Sequence, residues 1–113
     1  MKIETTKKQM RRGILEMCVL GIIAEKEAYP SDIIKKLKKA ELIVVEGTLY
    51  PLLNRLRTAD FLEYNWKESS SGPPRKYYTL TKNGQEFLAE LRKAWNHLVH
   101  VVELTTKKSD NNE

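Results

Sequence analysis

The C-terminal quarter of the chain limits the possible folds more than any other segment. From Lys82 to about Thr106, apolar residues recur at helical spacing, and Thr81 is a suitable N-cap for this segment. A helix of about 24 residues is roughly 36 Å long, which is more than a small helical domain can cover. Its exposed apolar stripe therefore needs a partner. We expect a homodimer whose interface includes Leu88, Leu91, Trp95, Leu98, Val99 and Val102.

A shorter helix with two contrasting faces is predicted near the middle of the chain. Four leucines between Leu49 and Leu56 follow the spacing i, i+3, i+4 and i+7. Pro51 fits only if this helix begins near Gly47 or Thr48, or if it kinks. The other face carries hydroxyl, amide and guanidinium groups, which are the groups that contact bases and phosphates in a major groove. The candidate DNA-binding residues on it are Thr48, Tyr50, Pro51, Asn54 and Arg55.

Two helices are predicted before this one. A 3.6-residue apolar period predicts the first from Lys7 to Glu25, with a cluster of Lys and Arg near its start. Ser31 is the expected N-cap of the second, which runs through Ala40. The lysines of the second helix either form a solvated face or contact phosphates, and the pattern leaves both interpretations open. The candidates for phosphate contact are Lys35 and Lys36.

Strand-forming residues follow the central helix. Segments 61–67 and 75–80 are typical of a β-hairpin with a loop over residues 69–74. Arg75 and Lys76 are expected where the chain leaves the hairpin tip, within reach of phosphate oxygens. The predicted fold is mainly α with a small β-hairpin wing: a winged helix-turn-helix over residues 1–81, a long C-terminal dimerisation helix over 82–106 and a polar tail over 107–113.

The basic charge is concentrated in the first half of the chain. Of a net charge of +5, residues 1–58 hold 12 Lys and Arg against 7 Asp and Glu, whereas residues 59–113 hold 8 of each. A localised basic excess favours a polyanionic partner, although many ordinary domains carry surplus lysines. We expect that partner to be double-stranded DNA.

The residue inventory argues against several other classes of protein. Cys18 is the single cysteine, and its apolar surroundings in the sequence suit a small buried hydrophobe in a reducing compartment. No apolar stretch reaches the roughly 18 residues that span a bilayer, and the N-terminus lacks a signal peptide, so we expect a cytoplasmic protein without membrane contact. His97 and His100 are spaced i, i+3 but lack a third metal ligand. We predict no enzymatic activity, no cofactor and no metal site.

Three separated blocks carry a family signature. They are GILEMCVLGII at residues 13–23, GTLYPLLNRL at 47–56 and GPPRKYYTLT at 72–81, followed by Gly84. Over roughly residues 8–105 the chain resembles the PadR family of transcriptional regulators. The resemblance implies a dimeric winged-helix repressor whose C-terminal helix packs against the partner subunit. It also implies that Thr48, Tyr50 and Asn54 lie on the recognition helix and that Arg75 and Lys76 lie on the wing.

The resemblance raises the question of an effector. In the multidrug-sensing branch of the family, tryptophans of the two C-terminal helices stack on flat ligands, and Trp95 stands at a similar place. The alternative is that Trp95 only packs the dimer interface. The predicted function is sequence-specific repression at a pseudo-palindromic operator, with release by a small aromatic or hydrophobic effector left open. The alternative function is a winged-helix protein-interaction adaptor without DNA binding, which leaves the basic excess unexplained.

Overall fold

The computed structural model describes residues 2–107, which form five helices and one two-stranded hairpin. The order is α1 (Ile3–Arg12), α2 (Leu15–Glu25), α3 (Pro30–Lys39), α4 (Glu46–Thr58), β1 (Leu62–Ser69), β2 (Gly72–Leu80) and α5 (Lys82–Thr106). The predicted class, a mainly helical winged helix-turn-helix with a long C-terminal helix, is confirmed. The predicted polar tail lies outside the described residues except for Lys107. Within residues 2–107, no helix has the length and apolar content needed to cross a membrane.

The core forms where α2, α3, α4 and the base of the hairpin meet. All four leucines of the predicted α4 stripe are buried, and Val19, Leu20 and Ile23 of α2 pack with them. Cys18 packs against this core, and its partial burial raises the pKa of the thiol because a thiolate loses hydration there. The remaining buried apolar residues are Ala28, Ile33, Leu37, Leu62, Tyr78 and Leu88.

The single first helix predicted from Lys7 to Glu25 is wrong, because the chain forms two helices there. α1 ends at Arg12, Gly13 is its C-cap, and the Ile14 N–H donates to the Arg11 carbonyl at 3.1 Å, a shortened final turn. Gly13 has low helix propensity. The apolar period also misled at this point, because α1 buries no residue of its own while α2 lies in the core.

The start of α3 also differs from the prediction. Tyr29, not Ser31, is the N-cap, and the Tyr29 N–H donates to the Asp32 carboxylate at 3.4 Å. Pro30 occupies the first helical position, where its missing N–H costs nothing and its fixed φ suits the helix. Ser31 therefore lies within the first turn.

α4 begins one residue before the predicted start and includes Pro51 in its interior. Val45 is its N-cap and makes no side-chain capping hydrogen bond. Because proline has no N–H, the Gly47 carbonyl lacks its usual intrahelical donor. Both Gly47 and Pro51 are exposed, so this carbonyl remains available to solvent or to a partner.

The hairpin is longer than the sequence predicted. Ser69 pairs with Gly72, so the tip is Ser70 and Ser71, and the predicted loop over residues 69–74 is wrong. Pro73 and Pro74 lie in β2 opposite an irregularity of the ladder between Lys67 and Ser69, where neither proline is paired with a residue of β1. Arg75 and Lys76 pair with Lys67 and Trp66, and therefore lie within the ladder and not at the tip.

α5 matches its prediction in extent and in cap. The Gly84 N–H donates to the Thr81 hydroxyl oxygen at 2.9 Å. The first turns pack on the core through Leu88 and through Phe87, whose ring stacks on Phe61 at a centroid distance of 4.1 Å. The later turns of α5 extend away from the body of the molecule. With this helix included, the described chain measures 63 × 33 × 21 Å.

The close approach of α5 to the end of α4 explains the need for Gly84. A Cβ at this position would overlap the Phe61 carbonyl oxygen and lie 2.9 Å from its carbon. We expect Gly84→Ala to lower the free energy of unfolding by about 3 kcal/mol, because backbone atoms must move. Gly13→Ala is the matched control, since nothing lies within 4 Å of its Cβ position. Chemical denaturation checks both variants, and equal stabilities would contradict this account of Gly84.

Candidate nucleic-acid interface

The exposed face of α4 is a ridge with two flanks. All five residues predicted to bind DNA from this helix are exposed, as are Gly47, Arg57 and Thr58. Successive helical residues are about 100° apart, so Pro51 and Asn54 lie near the middle of the ridge. Tyr50 lies on one flank, and Thr48 and Arg55 lie on the other. The ridge residues are Gly47, Pro51, Asn54 and Thr58.

The ridge presents hydrogen-bonding groups to solvent. The Arg57 guanidinium donates to Asn54 Oδ1 at 3.1 Å, which orients the amide and leaves its Nδ2 donor free. The side chain of Tyr50 beside it is 49% exposed. Free amide and hydroxyl groups on a protruding helix can make hydrogen bonds to base edges.

A cleft beside Tyr50 joins the ridge to the hairpin. This wing cleft has a volume of about 450 Å³ and contains two cations, Arg75 and Lys76, but no carboxylate among its lining residues. The predicted site residues Tyr50, Arg75 and Lys76 thus line one cleft, although Tyr50 and Arg75 are 25 positions apart in the sequence. The wing cleft is lined by Tyr29, Pro30, Ser31, Tyr50, Trp66, Pro74, Arg75, Lys76 and Tyr78.

Aromatic rings hold the two wing cations in place. The Arg75 guanidinium lies 4.5 Å from the ring centroid of Tyr29, and Lys76 Nζ lies 4.5 Å from that of Tyr64. Lys76 Nζ is also 5.4 Å from the ring of Trp66. Such cation–π contacts restrict the side chains without neutralising them. The positive charge therefore stays available to an anion in the cleft.

Backbone pairing fixes the wing to the body. Ala28 and Tyr78 exchange two hydrogen bonds, of 3.2 and 2.8 Å, and Lys67 forms an ion pair with Glu27. The segment between α2 and α3 thereby holds the hairpin beside α4.

Trp66 lines the wing cleft but was not among the residues that the sequence analysis predicted for the site. It is 61% exposed and lines the wing cleft directly opposite Lys76 in the β ladder. The alternation of Tyr64 and Trp66 was the available signal, because residues two apart share one face of a strand. This alternation identifies Trp66 as a neighbour of Lys76 only once the hairpin register, which pairs the two residues, is known.

Lys35 and Lys36 do not join either flank of the ridge. They line a separate lysine groove between the end of α2 and α3, together with Lys26, Lys38 and Lys39. Lys36 Nζ donates to the Glu25 carboxylate at 2.8 Å, and this bond and the positive charge lower the pKa of Glu25. The phosphate role predicted for these two lysines stays a prediction.

The residues predicted for the dimer interface divide into two groups. Leu88 is buried in the chain's own core and Leu91 packs against that core. Trp95, Leu98, Val99 and Val102 continue the same stripe of α5 and are all exposed. We call these four residues the α5 seam.

The two histidines lie on the same exposed part of α5. Within residues 2–107 no group of three or more His, Cys, Asp or Glu side chains is arranged to hold a metal ion. His97 and His100 thus have no third ligand in the described part of the chain.

The exposed ridge belongs to the second helix of a helix-turn-helix, a hairpin flanks it, and a long helix follows the hairpin. This arrangement is that of the winged-helix class, which DNA-binding regulators use. The model of the transcriptional regulator PadR-like family matches residues 19–90, and the chain belongs to this family. Members of this family are transcriptional regulators, not enzymes.

Solved structures of relatives agree with this assignment. A PadR-like transcription factor from Bacteroides fragilis is 54% identical, with 89% of this chain and 98% of that chain covered and a TM-score of 0.76. A PadR family transcriptional regulator from Eggerthella lenta is 31% identical, with 95% and 94% covered and a TM-score of 0.87. PadR from Bacillus subtilis, solved in complex with operator DNA, shares the fold at 23% identity, with 69% and 46% covered and a TM-score of 0.63.

Proposed function

We propose that this chain is a sequence-specific repressor that binds a pseudo-palindromic operator as a homodimer. The α4 ridge of each subunit enters one major groove, and the two grooves are about one helical turn, ~34 Å, apart. The observation that carries the proposal is the wing cleft, where Tyr50 of α4 lies beside two cations and no carboxylate. PadR from Bacillus subtilis, which shares the fold, was solved in complex with operator DNA, and this supports DNA as the partner.

The two kinds of group in this interface have different tasks. Tyr50 and Asn54 can form hydrogen bonds that depend on the base pair, whereas Arg75 and Lys76 attract any phosphate. Specificity therefore comes from the ridge, and the wing cleft contributes affinity that does not depend on the DNA sequence.

The α5 seam supports the dimer. Its four apolar residues follow the spacing i, i+3, i+4 and i+7 from Trp95, and the chain's own core ends at Leu91. A second copy of α5 would cover this stripe and fix the separation of the two ridges.

Selection from a random duplex library tests the proposed function. The full chain is incubated with the library at 0.15 M salt, and bound duplexes are amplified and sequenced over several rounds. We expect enrichment of a pseudo-palindromic sequence. A dimer that enriches no sequence and shows no salt-dependent binding would overturn the proposal and favour the adaptor interpretation.

On the enriched duplex, Tyr50→Ala should weaken binding by about 1–3 kcal/mol, because a contact to the bases is lost. On scrambled duplexes the same variant should bind like the wild type. Lys76→Ala should weaken binding to both duplexes and reduce the salt slope by about 0.9 per subunit. Fluorescence anisotropy at four salt concentrations separates the two effects. Equal losses on both duplexes for Tyr50→Ala would show that α4 is not the reading helix.

Leu98→Glu tests the α5 seam. A carboxylate placed opposite its symmetry mate in an apolar interface is desolvated and repelled, so the dimer dissociation constant should rise about 100-fold or more. Lys93→Glu adds the same group on the opposite face of α5 and should leave the dimer intact. Sedimentation equilibrium measures both, and an unchanged dimer in Leu98→Glu would exclude this interface.

The same seam is the proposed site of a small aromatic or hydrophobic effector. A flat ligand wedged beside Trp95 would change the angle between the two α5 helices and move the two ridges out of register. We expect the aromatic dye anilinonaphthalene sulfonate to bind the dimer and lower its affinity for the enriched duplex.

Trp95→Leu should remove both dye binding and the dye's effect on DNA affinity, because the stacking surface is lost while apolar packing is kept. Trp66→Phe is the matched control and should keep dye binding, since Trp66 lies in the wing cleft. Dye fluorescence and DNA anisotropy give the two readouts. Dye-induced release that persists in Trp95→Leu would leave Trp95 with a packing role alone.

A further inference from the structure

A cluster of cations on α1 has no part in the interface described so far. Lys8, Arg11 and Arg12 are exposed, and α1 buries no residue of its own in the described chain. No salt bridge within residues 2–107 involves any of these three side chains. Their charges are therefore free to attract an anion.

These three cations line a second cleft against α4. This N-terminal cleft has a volume of about 430 Å³, and Arg55 of α4 contributes a fourth cation. Glu16 is the only carboxylate among its lining residues, so positive charge dominates. The N-terminal cleft is lined by Lys8, Arg11, Arg12, Leu15, Glu16, Leu42, Ile43, Val44, Val45, Thr48, Leu52 and Arg55.

The N-terminal cleft and the wing cleft lie on opposite flanks of the ridge. Thr48 and Arg55, seven residues apart, share one side of α4 and line the N-terminal cleft. Tyr50 is about 200° around the helix from Thr48 and lines the wing cleft. A strip of cations therefore runs along each side of the helix that we propose enters the groove.

A major groove has a phosphate backbone on each side. The groove is about 12 Å wide, which is close to the diameter of a helix with its side chains, so an inserted helix has both strands within reach of its neighbours. Cations on one side alone would leave the second strand without a partner from this subunit. The N-terminal cleft supplies positive charge on that side.

We propose that the N-terminal cleft binds backbone phosphates of the DNA strand across the major groove from the strand held by the wing. Arg11, Arg12 and Lys8 of α1, with Arg55 of α4, are the residues that hold it. The proposal rests on the proposed DNA-binding function and adds a second phosphate site, which makes α1 part of the DNA-binding surface.

The double variant Arg11→Gln, Arg12→Gln tests this site, with fluorescence anisotropy on the enriched duplex and on scrambled DNA. Each lost phosphate contact should reduce the salt slope by about 0.9, so two per subunit should reduce it by roughly 2 per subunit, or about 4 for the bound dimer. Affinity at 0.15 M salt should fall by at least roughly tenfold on both duplexes. Lys2→Gln, Lys7→Gln is the matched control, because it removes the same charge from α1 or its N-cap without altering a residue of the cleft.

A second measurement locates the contact on the DNA. Single uncharged methylphosphonates are placed in turn along both strands of the enriched duplex. In the wild type, we expect binding to weaken at phosphates on both sides of each major groove. In the double variant, the effect should disappear on one side of the major groove in each half-site, which is opposite strands in the two half-sites, while Lys76→Ala should remove it on the other side.

Three outcomes would overturn the proposal. The double variant could bind with the affinity and salt slope of the wild type while Lys76→Ala shows its expected loss; DNA binding would then stand and only the N-terminal cleft would fail. The control variant could lose as much as the double variant, which would reduce the effect to general charge. Sedimentation could show that the double variant dissociates, which would make the cleft a contact between copies of the chain. Absence of DNA binding by the wild type would instead refute the proposed function itself.

Discussion

The corner between α4 and β1, formed by Asp60 and Phe61, is the junction on which the arrangement of the whole chain depends. The Thr81 hydroxyl donates to the Asp60 carbonyl at 2.6 Å, and the Thr81 N–H donates to the Phe61 carbonyl at 3.1 Å. The same hydroxyl oxygen accepts the Gly84 N–H and thereby caps α5. One threonine thus joins the end of α4, the first strand of the hairpin and the start of α5. Gly84 is required because the backbones meet so closely there.

The corner contains a backbone conformation that non-glycine residues seldom adopt. Asp60 has φ of 67°, and the Phe61 N–H reaches back to the Leu56 carbonyl at 2.9 Å, which closes α4 in a Schellman motif. The left-handed conformation costs a non-glycine residue roughly 1–2 kcal/mol. Asp60 offsets part of this because its carboxylate accepts a hydrogen bond of 2.7 Å from Asn83, which a glycine cannot do. In the proposed dimer, this corner would transmit a rotation of α5 to α4, because hydrogen bonds join the residues after α4 directly to the start of α5.

Local signals explain what the sequence could predict. The α4 stripe, the Thr81 cap and the extent of α5 follow from residues within one or two turns of each other, and all three are confirmed. The break at Gly13, the Tyr29 cap and the hairpin tip were missed because each depends on more distant structure. α1 buries nothing, so its apolar period carried no information about packing. Pro73 and Pro74 indicated a loop, whereas they lie in β2 at an irregularity of the ladder where neither is paired with a residue of β1.

In the candidate interface, too, features of one helix could be predicted, and features that combine distant segments could not. The five α4 residues could be predicted together because they share one helix face, whereas the two clefts bring together residues from distant parts of the chain. The basic excess of residues 1–58 indicated a polyanionic partner, but the number of cations alone does not identify a surface. Lys36 belongs to that excess and is paired with Glu25, while Arg75 and Lys76 come from the electrically balanced half and lie in a cleft without carboxylates. A cation without a carboxylate partner attracts a phosphate more strongly than one already paired, because paired charges largely cancel at the distance of a bound strand. The placement of charge around α4, which only the fold determines, therefore decides which basic residues can hold DNA.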